Sequence, residues 1–261
     1  MAGRRFLLVL DHVASEAQVR DMLPPGPDGA VIVCARRRLA GFPGARIMDL
    51  GGLDETDALA LLGQIIGHRR LSEEPGPAAD LVRLCAGLPL ALRIAGARLA
   101  ARPHWRLATL ARRLADDRRR LDELVYGDLS VRATISASYA GLPPRAREML
   151  RRLAGLDTPE VPLRAAAALL HGPRACAEEL CDALVDARLL QVRDGLSGPR
   201  YRLPDLVRAY ARDVVAHPAV PHPAPSAKIE IRSVPRPVRV TRTSRPCFSR
   251  TTSPAAASRS Q

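Results

Sequence analysis

Phe6-Leu7-Leu8-Val9-Leu10-Asp11 is the stretch on which the architecture turns. Five apolar residues in succession, closed by an acid, read as a β-strand buried on both faces, the pattern of a parallel sheet. Next, Ser15-Glu16-Ala17-Gln18 has capping-box spacing. Val19, Met22 and Leu23 give one apolar face to the short helix that follows, and Pro24-Pro25-Gly26-Pro27 ends it. Ala30 to Cys34 reads as a second buried strand, and Ile47 to Leu50 as a short third one. Strand, helix, strand with short links implies a right-handed parallel crossover. Two or three strands cannot bury both of their faces, so the sheet is expected to be incomplete.

Beyond the sheet the periodicity becomes helical. Asp54 caps a run with Ala58, Leu61, Leu62 and Ile65 on one side. Pro77 to Cys85 supplies Leu81, Leu84 and Cys85; Gly87 stops that helix, and Pro89 opens the next, which runs to Ala101. Residues 105–124 read as one Arg-rich helix with Leu107, Leu110, Leu114, Leu121 and Leu124 inward. Residues 128–215 look like a separate unit, with helices at 130–140, 143–154, 162–170 and 175–187. Two short strands follow, Leu189 to Val192 and Tyr201 to Leu203. Asp194-Gly195 and Gly198-Pro199 between them signal a hairpin. A last helix covers Asp205 to Val215. Three helices followed by a hairpin is the winged-helix pattern. After Ala216 the sequence is dominated by Pro, Ser, Arg and Ala, and reads as a disordered basic tail over 217–261.

Composition narrows the function. Apolar residues make up 47% of the 261 and aromatics only 3%, so the core must be built from aliphatic side chains, which favours packed helices. A formal charge of +13 suggests a polyanion partner, but seven Arg and Lys228 lie in the tail against the single acid Glu230. In the body, acids alternate with Arg. Arg113 and Arg118 to Arg120, for example, are interleaved with Asp116, Asp117, Asp122 and Glu123, a solvated helix face. Cys34, Cys85, Cys176, Cys181 and Cys247 form no CxxC pair and have no His at metal-ligand spacing; they read as buried or incidental thiols. His68, His104 and His171 read as surface or helix-end groups, and Trp105 as a core or helix-start anchor. No apolar run approaches the ~18 residues of a membrane span, and the expected location is the cytoplasm.

An apolar strand ending in Asp is what a nucleotide hydrolase uses to hold Mg²⁺ near phosphates. Taken with LLVLDHVASEAQVRDMLP, AVIVCARRRL, CAGLPLALRIAGARLA, YRLPDLVRAYAR and the spacing between them, residues 3–215 resemble the NB-ARC (STAND) segment of actinobacterial SARP/AfsR-type transcriptional regulators. The resemblance implies an ADP/ATP site with Mg²⁺. It assigns Asp11 to the metal-holding Walker B strand and Arg36 to a phosphate-reading sensor. Gly87-Leu88-Pro89-Leu90 becomes the turn whose proline packs on adenine, and Asp205 the remnant of a motif beside the ADP β-phosphate. An Arg at a strand end suits bidentate phosphate bonding. The implied fold is an α/β remnant of a P-loop NTPase sheet, followed by a helical domain and a winged-helix domain, mainly α overall. The boundaries are 1–52, 53–125 and 126–216, with the tail at 217–261.

Several positions depart from that family. His12 stands where a second acid or Asn is usual, Cys34-Ala35-Arg36 replaces Thr-Ser-Arg, and Pro204 replaces the motif's His. A phosphate loop needs G-x-x-x-x-G-K-[ST], and no Lys occurs before Lys228. The expectation is a truncated regulatory module, not an enzyme, with Met1 falling inside the nucleotide domain and nucleotide binding weak or lost. Partners would be a second copy or another regulator, met through the helical domains. The alternative is a DNA-binding winged-helix factor, and a third reading is a gene fragment without activity. Against DNA, the recognition helix 175–187 carries Glu178, Glu179, Asp182 and Asp186 and no base-reading Arg. A DNA groove repels such a face, so DNA binding is expected to be weak and to run through the tail.

Overall fold

The computed structural model describes residues 6–23, 29–39, 41–195 and 198–216. They fall within one compact unit, Met1–Ser226; the tail and its expected disorder lie outside the described residues. The chain opens with β1 (Phe6–Val13), α1 (Glu16–Arg20) and β2 (Gly29–Ala35). Helices α2 (Glu55–Ile66), α3 (His68–Glu73), α4 (Pro75–Leu84), α5 (Pro89–Ala100), α6 (Leu107–Ala115) and α7 (Arg120–Glu123) follow. A small ribbon, β3 (Val125–Tyr126) and β4 (Leu129–Ser130), leads into α8 (Val131–Ala140) and α9 (Pro144–Ala154). The chain continues through β5 (Glu160–Pro162), α10 (Leu163–Leu169), α11 (Arg174–Asp186), β6 (Gln191–Arg193), β7 (Arg200–Arg202) and α12 (Asp205–Ala216).

Strands β1 and β2 pair in parallel, with Leu7 opposite Ala30 and Val9 opposite Ile32. The expected burial of both faces fails here. Phe6, Leu8, Leu10, Val31 and Val33 are half-buried, but Leu7, Val9 and Ile32 on the other face are 60%, 55% and 49% exposed. The sheet has two strands, and nothing among the described residues covers that second face. The expected third strand at 47–50 is not formed: Ile47, Met48 and Leu50 are exposed, and no strand lies beside them to complete a ladder.

The helices are fixed largely by their ends. Asp54 accepts the Asp57 amide at 2.8 Å and caps α2, and Ser130 does the same for α8 through the Ala133 amide. Pro75, Pro89 and Pro144 each occupy the first turn of a helix, where no intrahelical donor is lost. Helix α6 is capped from a distance: the Glu74 carboxylate takes the amides of Leu107 and Ala108 at 3.0 and 3.2 Å. Arg70 closes the C-terminal end of α5 by donating to the carbonyls of Leu99, Arg102 and Trp105.

The single helix expected over 105–124 is broken. Asp116 leaves the helical region at ψ 106°, its carboxylate takes the Arg118 amide at 3.0 Å, and its carbonyl takes those of Arg119 and Arg120. The side chain offers the backbone a local alternative to the helical ladder. The five leucines expected to face inward are nevertheless all buried. One hydrophobic core runs from Ala58 to Ala211, so the helices of 53–125 and 126–216 pack on a shared interior. Two arginine bridges cross the same joint, Arg132 to Asp122 and Arg212 to Asp117. Arg98 meets Glu123 within the first part, and Arg132 and Arg212 also pair with Asp213 and Asp157 within the second.

Candidate functional site

The residues assigned to nucleotide come from separate elements. Asp11 lies near the end of β1 with an exposed carboxylate, which takes the His12 amide at 2.8 Å and lies 3.1 Å from the His12 ring. The ladder slips between Leu10 and Val13, and His12 adopts φ 56° there. Arg36 follows β2, half-buried and without a hydrogen bond or ion pair among the described residues. Asp205 is the exposed first residue of α12. No hydrogen bond or ion pair joins Asp11, Arg36, Gly87 to Pro89 and Asp205 to one another among the described residues. Nor does any cluster of three or more metal-capable side chains occur among them.

The Gly87 turn has a structural explanation. Ala86 and Gly87 take φ 53° and 64°, and the Gly87 carbonyl accepts the Leu53 amide at 2.8 Å. A Cβ at Gly87 would stand 2.4 Å from the Leu53 carbonyl oxygen. Glycine is thus required both by backbone conformation and by the close approach of residues 52–53. Pro89 then opens α5, while Leu88 stays partly exposed.

The better-formed site is the winged helix. In α11, Ala177, Cys181 and Leu184 recur at helical spacing and are buried; burial pushes the Cys181 thiol up to about 12, helped by Asp182 and Glu178. The opposite face presents Glu178, Glu179, Asp182 and Asp186 to solvent. None of these four carboxylates has an arginine partner among the described residues. Partial burial, then the charges of Glu178 and Asp186, raise the Asp182 carboxyl above the usual range. The domain also holds a three-stranded sheet in the order β5-β7-β6, with Tyr201 at its centre opposite Val161 and Val192. The wing brings Arg193 and Arg200 to within 3.7 and 3.0 Å of Glu160, which partly neutralises them. The carboxyl end of α11 meets the segment after β2: the Arg38 amide donates to the Asp186 carbonyl, and Arg188 pairs with Asp49. That hydrogen bond holds the Asp49 carboxyl below its usual value.

Sequence reasoning missed β5, α3 and the β3–β4 ribbon. Glu160-Val161-Pro162 is only three residues long, and its proline obscures the strand signal. It also missed the burial of Tyr201, which the pairing of β7 with both neighbours places at the centre of the sheet. Trp105 behaves as the anchor expected of it, stacked between Arg102 and Arg113 at 4.7 and 4.5 Å from its ring centre. No helix among the described residues is long and apolar enough to cross a membrane.

A family model described as a winged helix-turn-helix domain matches residues 142–216. The chain is 45% identical over 210 residues to the regulatory protein AfsR of Streptomyces griseus, a match covering 80% of this chain and 21% of that protein. It is 46% identical over 211 residues to the regulatory protein AfsR of Streptomyces coelicolor, again over 80% of this chain and 21% of the relative. The chain thus spans about a fifth of the length of the curated relatives it matches. It is homologous to regulators of the AfsR type and carries a winged helix-turn-helix domain over residues 142–216.

Proposed function

We propose that this chain is a regulatory module of a transcriptional regulator, acting through its winged helix, with α11 as the contact helix and a protein as its target. The observation that carries the reading is the outer face of α11: four exposed carboxylates without an arginine partner, in a chain with 40 basic residues. Phosphate contacts dominate the affinity of DNA-binding proteins, and this face repels phosphate.

The winged helix-turn-helix match favours a second reading, DNA binding, over a nucleotide switch. Arg174 at the start of α11 and Arg193, Arg200 and Arg202 in the wing support it. A gel shift of the full chain separates the two readings. Retention of any duplex with a steep loss on adding salt fits the protein-contact reading. Sequence-specific retention that survives physiological salt and is lost in Arg193→Ala would favour DNA.

The switch reading survives in a reduced form. In a complete switch, Asp11, Arg36, Gly87, Leu88, Pro89 and Asp205 would surround ADP or ATP with Mg²⁺. This chain, with no lysine before Lys228, is proposed to bind nucleotide far more weakly than the roughly micromolar level of an intact site.

A further inference from the structure

A cleft of about 580 Å³ opens between the corner from α2 to α4 and the turn before α6. That is within the ~300–1,000 Å³ of small-molecule sites. Two ties hold its frame. Arg70 donates to the carbonyls of Leu99, Arg102 and Trp105, and Glu74 takes the amides of Leu107 and Ala108. The cleft is therefore bounded by backbone that side chains from the opposite wall keep in place.

Its charges do not cancel. Arg69, Arg70 and Arg106 are set against only two carboxylates, Glu73 and Glu74. Arg69 pairs with Glu73 at 3.1 Å, while Arg70 and Glu74 are committed to the backbone. Arg106 is left over. Its exposed guanidinium has no hydrogen bond or ion pair among the described residues, and neither has the His104 ring. The first amides of α6 are already taken by Glu74, so the surplus belongs to side chains and not to a helix end.

Apolar groups stand beside these donors, because Ile66, Pro103 and Trp105 line the same cleft. Arg102 and Arg113 stack on the Trp105 ring at 4.7 and 4.5 Å and fix it. Its indole N–H has no acceptor among the described residues. A guanidinium, an imidazole and an indole all offer donors. The group that satisfies them together is an oxyanion, which guanidinium grips in a bidentate fork. The apolar lining calls for a ring attached to it.

We infer that this cleft binds a small organic oxyanion, a carboxylate or phosphate carried on an apolar ring, with Arg106 meeting the charge and Ile66, Pro103 and Trp105 the ring. The site lies in the helical part and does not depend on what α11 contacts. Trp105 is the chain's one tryptophan, so its fluorescence reports the cleft directly in the full chain. Titration with benzoate and with phenyl phosphate is expected to change that signal saturably, at least one of them with half-saturation below about 1 mM. The tighter of the two identifies the anionic group. Arg106→Gln should weaken its binding about tenfold and leave the melting temperature unchanged, because this side chain holds nothing in the fold. Benzamide lacks the charge and inorganic phosphate lacks the ring, so each should bind weaker by about tenfold or more. Saturation by neither organic anion overturns the inference. So does equal binding of benzamide or inorganic phosphate, or an unchanged affinity in Arg106→Gln.

Discussion

Residues 6–35 and residues 54–216 are both rich in aliphatic side chains, yet the structure treats them differently. In the helical and winged-helix part, Leu62, Leu81, Leu92, Leu110 and Met149 are fully buried in one interior. In the two-stranded sheet, Leu7, Val9 and Ile32 keep about half or more of their surface in water. An apolar run defines a strand, but only neighbours define a core. The lesson extends to function. The residues assigned to nucleotide lie on separate elements, from β1 to α12, whereas the winged helix displays its acids on one helix face.

Substitution should break the comparison cleanly. Leu110→Ala is expected to cost about 3 kcal/mol, because a fully buried leucine leaves a cavity that tight packing cannot refill. Leu7→Ala should change stability by less than about 0.5 kcal/mol. Urea unfolding of the two variants reads the difference, and equal losses would mean that the sheet is covered after all.

An ion-pair cluster inside the helical part is expected to have the next largest effect. Glu123→Gln removes the charge facing Arg98 and Arg113, and the Arg98 and Glu123 side chains are only 16% and 14% exposed. A loss of about 2 kcal/mol is expected, less than for a fully buried pair because water still reaches both groups. If urea unfolding shows no loss, the Glu123 pairs are ornamental and the aliphatic core alone holds this part.

What could be read in advance divides along the same line. Helices with strong ends were legible: Asp54, Pro89 and Pro144 mark starts that the structure keeps, and the inward leucines of 107–124 are all buried. The winged-helix order of helices and hairpin was legible too. The break at Asp116 was not, because the leucine spacing continues through it while a side chain diverts the backbone. The third strand failed because the apolar residues of Ile47 to Leu50 say nothing about whether a partner strand exists. For the candidate site, the acids of α11 were visible as letters, but the central place of Tyr201 depends on β7 lying between β5 and β6. The Gly87 turn was legible as a helix stop and, through the resemblance, as a ligand contact; the structure supplies a backbone reason that acts without a ligand.

That turn gives the third test. Gly87→Ala combines φ 64° with a Cβ 2.4 Å from the Leu53 oxygen, so a loss of about 1–3 kcal/mol is expected without any ligand present. Thermal unfolding of the unliganded chain measures it, and a neutral result would return the glycine to a purely ligand-binding role.

The smallest effect concerns pH. The Asp182 carboxyl is raised above its usual 3.8, so the folded chain holds that proton more tightly than the unfolded one. The associated stability is present at low pH and lost as pH rises through the folded value. Asp182→Asn should therefore raise the melting temperature slightly at pH ~7 and leave it unchanged at pH ~3, below both values. A drop at neutral pH would show that the charge has an internal partner.

The most direct test is hydrogen–deuterium exchange on the full chain with and without Mg²⁺-ADP. Amides of 6–13 and 29–35 should exchange early, those of 89–100, 107–115 and 144–154 late, and nucleotide should change neither. Late exchange across 6–13, or protection of 6–13 and 86–89 on adding Mg²⁺-ADP, would contradict the account and place function back in the sheet.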